Sequence, residues 1–153
     1  MVRTVTITGT RSVEHVSVAD LVDGFDAYLR PFADPVTHFY LGGAAGIDTL
    51  ALQWLAEHTD AALTVVVPCT VADQPASAVE AIVHWSRRDR LAEIVELNAP
   101  TLDTPAYHAR NRWMVDRSGF VIGFPRGTDL ASGTWYTLTY AAEQGKPRMV
   151  VPV

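Results

Sequence analysis

The chain has 153 residues with 48% hydrophobic content, which fits a single domain over residues 1–153 built around one core. No stretch approaches the roughly 20 apolar residues of a membrane span, and the first residues enter a strand pattern directly, so neither a membrane segment nor a signal peptide is expected. The net charge of −5 disfavours broad nucleic-acid binding through many Lys and Arg contacts, and the single cysteine, Cys69, excludes an internal disulfide and favours a cytoplasmic setting.

Six β-branched or apolar stretches predict strands, and segments of helical periodicity lie between them. The strands are expected near residues 2–8, 36–41, 62–67, 93–97, 119–124 and 148–153. The helices are expected to begin after Ser17, at about Gly46, at Asp73-Gln74-Pro75, after Thr104 as N-cap, and at Ser132. This alternation predicts a doubly wound α/β fold: a mainly parallel sheet of about six strands with helices on both faces.

Four loops of interest each follow a predicted strand, at residues 9–11, 42–48, 68–70 and 124–134. In doubly wound sheets ligands bind outside the carboxyl ends of the strands. We therefore expect these loops to lie along one edge of the sheet. The first loop offers Gly9, Thr10 and Arg11, of which Arg11 either reaches a phosphate or points into solvent.

The second loop is rich in glycine and joins a short strand to a helix. Its candidate ligand-binding residues are Gly42, Gly43, Ala44, Gly46, Ile47 and Asp48. Strand, glycine loop and helix together can present free backbone N–H groups and a positive dipole end to a phosphate. The alternative is a tight packing turn. Asp48 either binds a ribose hydroxyl or a base, or caps its own helix.

A second candidate phosphate loop begins the last helix, at Ser132, Gly133 and Thr134. Two hydroxyls and a glycine N–H at a helix N-terminus suit an anion, although Ser132 also fits a simple N-cap. Arg110 is a candidate partner for a carboxylate or phosphate; the alternative is an ion pair with Asp116 on the helix surface.

The remaining chemistry is sparse. Cys69 reads as a core thiol rather than a nucleophile, and residues 87–90 read as a solvated helix end. The five histidines form no HxH or HxxxH pair, so neither a metal site nor a cofactor is predicted. Trp135 is the best candidate to stack on a base.

These motifs resemble, in order, those of the SLOG superfamily, which joins the DNA-processing protein DprA (Smf) and the Lonely Guy cytokinin-activating enzymes. The matching segments are residues 7–11, 42–51, 110–112 and 132–134. Residues 42–48 resemble the DprA motif that ends in Gly-Ile-Asp, and Arg110-Asn111-Arg112 resembles its Arg-Asn-Arg helix start. Residues 112–118 look closer to the small YpsA-type members.

The resemblance covers nearly the whole chain and implies a Rossmann-like domain with a nucleotide-related ligand. Lonely Guy phosphoribohydrolases use an arginine that corresponds to Arg110 and a glutamate three residues after a Gly-Thr pair. Here that position is Thr137, so nucleoside monophosphate hydrolysis is the alternative, with Arg110 as its catalytic candidate. DprA-like binding of single-stranded DNA is a further alternative that the acidic charge disfavours. We expect a nucleotide-binding protein that forms homodimers, and a sensor is one role that fits this expectation.

Overall fold

The computed structural model describes residues 3–153, in which six strands alternate with five α-helices. The strands are β1 (Arg3–Gly9), β2 (Thr37–Leu41), β3 (Ala62–Val67), β4 (Glu93–Glu96), β5 (Phe120–Phe124) and β6 (Arg148–Val150). The helices are α1 (Val18–Tyr28), α2 (Ile47–His58), α3 (Ala76–Arg87), α4 (Thr104–Asp116) and α5 (Gly133–Glu143), with short 3-10 turns at Arg30–Phe32 and Val71–Asp73. Val2, predicted to begin the first strand, lies outside the described residues.

All strand pairs are parallel, and the strands lie in the order β4-β3-β2-β1-β5-β6. The predicted α/β doubly wound fold is therefore confirmed. From β1 the chain moves outward through β2, β3 and β4, then returns to place β5 on the other side of β1. The point where the strand order reverses thus lies between β1 and β5, which is where such sheets leave a crevice.

The two faces of the sheet carry different side chains, as the alternation along a strand requires. On β1, Val5 and Ile7 belong to the large core that α1, α2 and α3 cover. Thr6 faces the opposite side, where its hydroxyl lies 2.6 Å from that of Ser118. A smaller apolar cluster under α4 and α5 closes this second face.

The N-terminus of α1 agrees with the prediction, whereas those of α3 and α4 differ from it by one or a few residues. Ser17 caps α1 as predicted, since its hydroxyl accepts a hydrogen bond from the Asp20 N–H at 3.1 Å. The cap of α4 is Asp103 rather than Thr104, because the Asp103 carboxylate accepts from the Ala106 N–H at 3.0 Å. A short 3-10 turn occupies the predicted start of α3, which begins only at Ala76.

The prediction that residues 87–90 form a solvated helix end is wrong for Arg90. Its guanidinium donates hydrogen bonds to backbone carbonyl oxygens around the end of α2, those of Leu55, Ala56, Thr59 and Ala61. The last carbonyls of a helix have no partner within the helix. Arg90 supplies that partner from a distant loop and joins α2 to β3. No helix within residues 3–153 is long and apolar enough to cross a membrane.

Candidate ligand site between the first and fifth strands

A cavity of about 400 Å³ opens at the carboxyl ends of β1 and β5, at the switch in strand order. This volume falls in the range of small-molecule sites. Nine of the thirteen predicted site residues line it: Gly9, Thr10, Arg11, Ala44, Asp48, Arg110, Ser132, Gly133 and Thr134. Segments from β1, the glycine loop, α4 and the start of α5 therefore meet at one place, as the parallel sheet requires.

The other four predicted residues, Gly42, Gly43, Gly46 and Ile47, do not line the cavity. Gly43 has φ +67°, and a side chain there would point at Val67 in the core. Gly46 has φ +75° and lies so close to β1 that an added Cβ would fall 2.5 Å from the Thr10 carbonyl oxygen. Ile47 is fully buried. Here glycine allows close packing of the protein against itself.

Several polar groups of the glycine loop are satisfied by the protein, its carbonyl oxygens above all. Side chains donate to three successive carbonyl oxygens: Arg110 to that of Gly42, Gln74 to that of Gly43 at 2.7 Å, and Thr49 to that of Ala44 at 2.7 Å. Two amides are also used, that of Ala44 by the Asp48 carboxylate at 3.2 Å and that of Ile47 by the Thr10 carbonyl at 3.0 Å. At the Ala44 amide, the Asp48 carboxylate thus takes the place that an anionic ligand would occupy.

Arg110 is almost completely buried, with 3% of its surface exposed. Its Nε donates to Asn111 Oδ1 at 2.7 Å, and its Nη1 donates to the carbonyl oxygens of Gly42 and Val66. The alternative pairing with Asp116 does not occur, because Asp116 accepts from the Tyr140 hydroxyl. Within residues 3–153 the remaining nitrogen, Nη2, donates no hydrogen bond, while the side chain lines the cavity.

Asp48 is the one carboxylate among the described residues that line the cavity. Burial raises its pKa to about 6, and the nearby Arg110 guanidinium only partly offsets this effect. Burial likewise lowers the pKa of Arg110. The absence of a side chain at Gly42 lets both groups approach this residue, since a Cβ there would lie 2.8 Å from both Arg110 Cζ and Asp48 Oδ2. Desolvation therefore outweighs the attraction between these charges.

Tyr107, His108 and Arg126 line the cavity wall but were not among the predicted site residues. The Arg11 guanidinium stacks on the Tyr107 ring, 4.2 Å from its centroid, at the edge of the cavity. His108 stacks on Tyr136 with 3.6 Å between ring centroids, and burial lowers its pKa, so the imidazole is neutral at pH 7. Arg126, from the loop after β5, also lines the wall. Tyr107 lies one helical turn before Arg110, a spacing that could have identified it.

At the start of α5, Ser132 Oγ accepts from the Trp135 N–H at 3.3 Å, so the N-cap interpretation is confirmed. The N–H groups of Gly133 and Thr134 have no acceptor in the described part of the chain, and both residues line the cavity. Trp135 does not line it, because its indole N–H donates to the Gly127 carbonyl at 3.0 Å. The second predicted phosphate loop thus keeps two backbone donors open at the cavity.

Two further positions lie away from the cavity. Thr137, at the position of the Lonely Guy glutamate, is fully buried and donates its hydroxyl hydrogen to the Gly133 carbonyl at 2.9 Å. Cys69 is 5% exposed and packs in the interior, as predicted for a core thiol.

The charge of the cavity wall is opposite in sign to that of the whole chain. Arg11, Arg110 and Arg126 contribute three positive charges, and Asp48 contributes at most one negative charge. Together with the open N–H groups at the positive end of α5, this arrangement suits an anionic ligand. No cluster of metal-ligating side chains occurs within residues 3–153.

Neither the models of protein families nor the curated proteins give a match for this chain. Among solved structures, it is similar to DNA processing protein A from Helicobacter pylori, which was studied for its single-stranded DNA binding mode. The TM-score is 0.72 at 23% identity, and the match covers 99% of this chain and 66% of that one. For DprA from Streptococcus pneumoniae the TM-score is 0.71 at 19% identity, and the match covers 99% of this chain and 51% of that one. For the protein TM1055 the TM-score is 0.65 at 19% identity, and the match covers 95% of this chain and 72% of that one.

The chain thus spans about two thirds of the first of these proteins and about half of the second. At these identities the likeness concerns the fold. It agrees with the resemblance inferred from the sequence motifs, and the chain has a Rossmann-like fold similar to that of DprA.

Proposed function

We propose that the protein binds an anionic, nucleotide-derived small molecule in the cavity between β1 and β5. The observation that carries this proposal is a concave site with three arginines, one carboxylate and two open backbone N–H groups at the switch in strand order. In this arrangement the phosphate lies at Gly133 and Thr134 rather than at the glycine loop. Arg126 and Arg11 add charge from the two sides.

Isothermal titration calorimetry with AMP, ADP and ADP-ribose tests this proposal. Arg126→Ala should weaken binding of the best ligand by about tenfold, the range of a charge-assisted hydrogen bond. Arg87→Ala is the matched control, because Arg87 is exposed at the end of α3 and outside the cavity. Absence of heat for all three nucleotides, or an equal loss in both variants, would contradict the proposal.

DprA-like binding of single-stranded DNA is the second candidate. Its support is the likeness to the Helicobacter pylori protein and the local positive charge of the cavity, set against a net charge of −5. Fluorescence anisotropy with a labelled oligonucleotide at low salt separates the two functions. Binding that falls steeply as salt rises would favour the nucleic acid, whereas binding of mononucleotides alone would favour the small molecule.

Hydrolysis of nucleoside 5′-monophosphates is the third candidate, and Thr137 gives it no carboxylate at the expected position. Chromatography of AMP incubated with the protein tests for free adenine.

The proposal also includes four further properties: membership of the YpsA-type subgroup, a single-domain organisation, a cytoplasmic location and a homodimer. Light scattering coupled to size-exclusion chromatography measures the last of these directly.

A further inference from the structure

Asp48 differs from the other described residues of the cavity wall in its negative charge and in its unpaired buried oxygen. It is 6% exposed, lines the cavity, and is the one acidic side chain among the described residues that do so. Its Oδ2 accepts from the Ala44 N–H, while its Oδ1 is buried and accepts no hydrogen bond within residues 3–153. A buried carboxylate oxygen without a partner is costly, so the cavity lacks a donor at this point.

The protein does not supply that donor. Arg110 is the nearest strong candidate: its Nε and Nη1 donate to Asn111 and to backbone carbonyls, its Nη2 donates to no group within residues 3–153, and the two side chains form no ion pair in the described structure. Both side chains come close to Gly42, where an added Cβ would lie 2.8 Å from each of them. The buried oxygen thus stays unpaired although a guanidinium lies nearby.

The chemistry of the surroundings restricts what the missing donor is. A second phosphate oxygen would be repelled by the carboxylate, and a ligand cation would be repelled by the arginines of the wall. A neutral hydroxyl satisfies both constraints. Oδ1 has almost no accessible surface. Rotation about the Cβ–Cγ bond of an aspartate is soft, so a partial turn of the carboxylate can present an oxygen to the ligand while the other stays near the Ala44 amide.

We propose that Asp48 is the specificity residue of the cavity and selects phosphate esters that also carry sugar hydroxyls, such as ribonucleoside 5′-monophosphates. This inference rests on the proposed function, since it assigns the second contact of the same ligand. The arginines and the start of α5 hold the anionic end, which inorganic phosphate shares. Asp48 distinguishes a ribose from a sugar without hydroxyls.

The test compares AMP with 2′,3′-dideoxyadenosine 5′-monophosphate, which keeps the base and the phosphate but lacks the ribose hydroxyls. Calorimetry with the wild-type protein should give AMP an advantage of about tenfold or more, the size of a hydrogen bond to a charged acceptor. Asp48→Ala should bring the ratio of affinities close to one. Asp48→Asn, which keeps an acceptor without the charge, should give an intermediate ratio. Asp60→Asn, an exposed site at the end of α2, should keep the wild-type ratio.

The outcomes separate the two proposals. If neither nucleotide binds, the proposed function fails and this inference fails with it. If both bind equally well to the wild-type protein, the function stands and the role of Asp48 is refuted. A wild-type preference that Asp48→Asn and Asp48→Ala leave unchanged also refutes it, because another group would then recognise the hydroxyl. Thermal unfolding of each variant checks the fold, and Asp48→Asn carries the test if Asp48→Ala does not fold.

Discussion

Replacing Asp48 by asparagine should change how the stability of the protein depends on pH. Burial raises the pKa of this carboxyl from 3.8 in the unfolded chain to about 6 in the native one. The native state therefore holds the proton more tightly than the unfolded state. The stabilisation from this group is complete below pH 3.8 and is lost as the pH rises through about 6.

The size of this effect follows from the shift. A difference of about 2 pKa units corresponds to about 3 kcal/mol of unfolding free energy. Relative to Asp48→Asn, which cannot ionise, the wild-type protein should lose about this amount between pH 3.5 and pH 8. The other ionisable groups are shared by both proteins, so the difference between them isolates Asp48.

Urea unfolding at half-unit steps of pH measures the difference, with Asp60→Asn as the matched control for the loss of one carboxylate. A difference between wild type and Asp48→Asn that does not vary with pH would refute the reasoning. A wild-type protein that gains stability relative to Asp48→Asn with rising pH would show that Arg110 holds the carboxylate ionised, and that attraction outweighs desolvation.

Two further substitutions test the packing around the site. Gly9→Ala should cost about 1–3 kcal/mol of unfolding free energy, because the added Cβ would lie 2.4 Å from Ile47 Cβ. Gly24→Ala, in open space within α1, should instead stabilise the protein by about 0.5–1 kcal/mol. Equal effects of the two substitutions would contradict the close packing of Gly9 against Ile47. Arg90→Met should cost about 2–3 kcal/mol of unfolding free energy, because it removes the charged donor from the carbonyls at the end of α2, whereas Arg87→Met should change the stability little. Chemical denaturation measures both variants. An Arg90→Met variant as stable as the wild type would show that water replaces the guanidinium.

The fold could be predicted because its signals are local. Alternating strands and helices fix the α/β class, and parallel strands place the loops that follow them on one edge. The Ser132 cap was also predictable, since Ser132 and the amide it accepts from lie three residues apart. The prediction for α4 missed by one residue, because Asp103 and Thr104 are both good caps and only the backbone decides between them.

The role of the glycine loop could not be predicted from its own residues. Glycine at positive φ serves equally well for approach to a ligand and for approach to the protein itself. The outcome depends on residues elsewhere in the chain: a Cβ at Gly43 would meet Val67 and one at Gly46 would meet the Thr10 carbonyl oxygen, and neither glycine lines the cavity. The same limitation applies to Arg90, whose partners lie about 30 residues earlier.

The most direct test of the proposed ligand site is a crystal structure determined with AMP at saturating concentration. We expect the phosphate group against the Gly133 and Thr134 N–H groups, within reach of Arg126, and a ribose hydroxyl against Asp48. An empty cavity, or a phosphate bound to the amides of residues 43–47 instead, would contradict it.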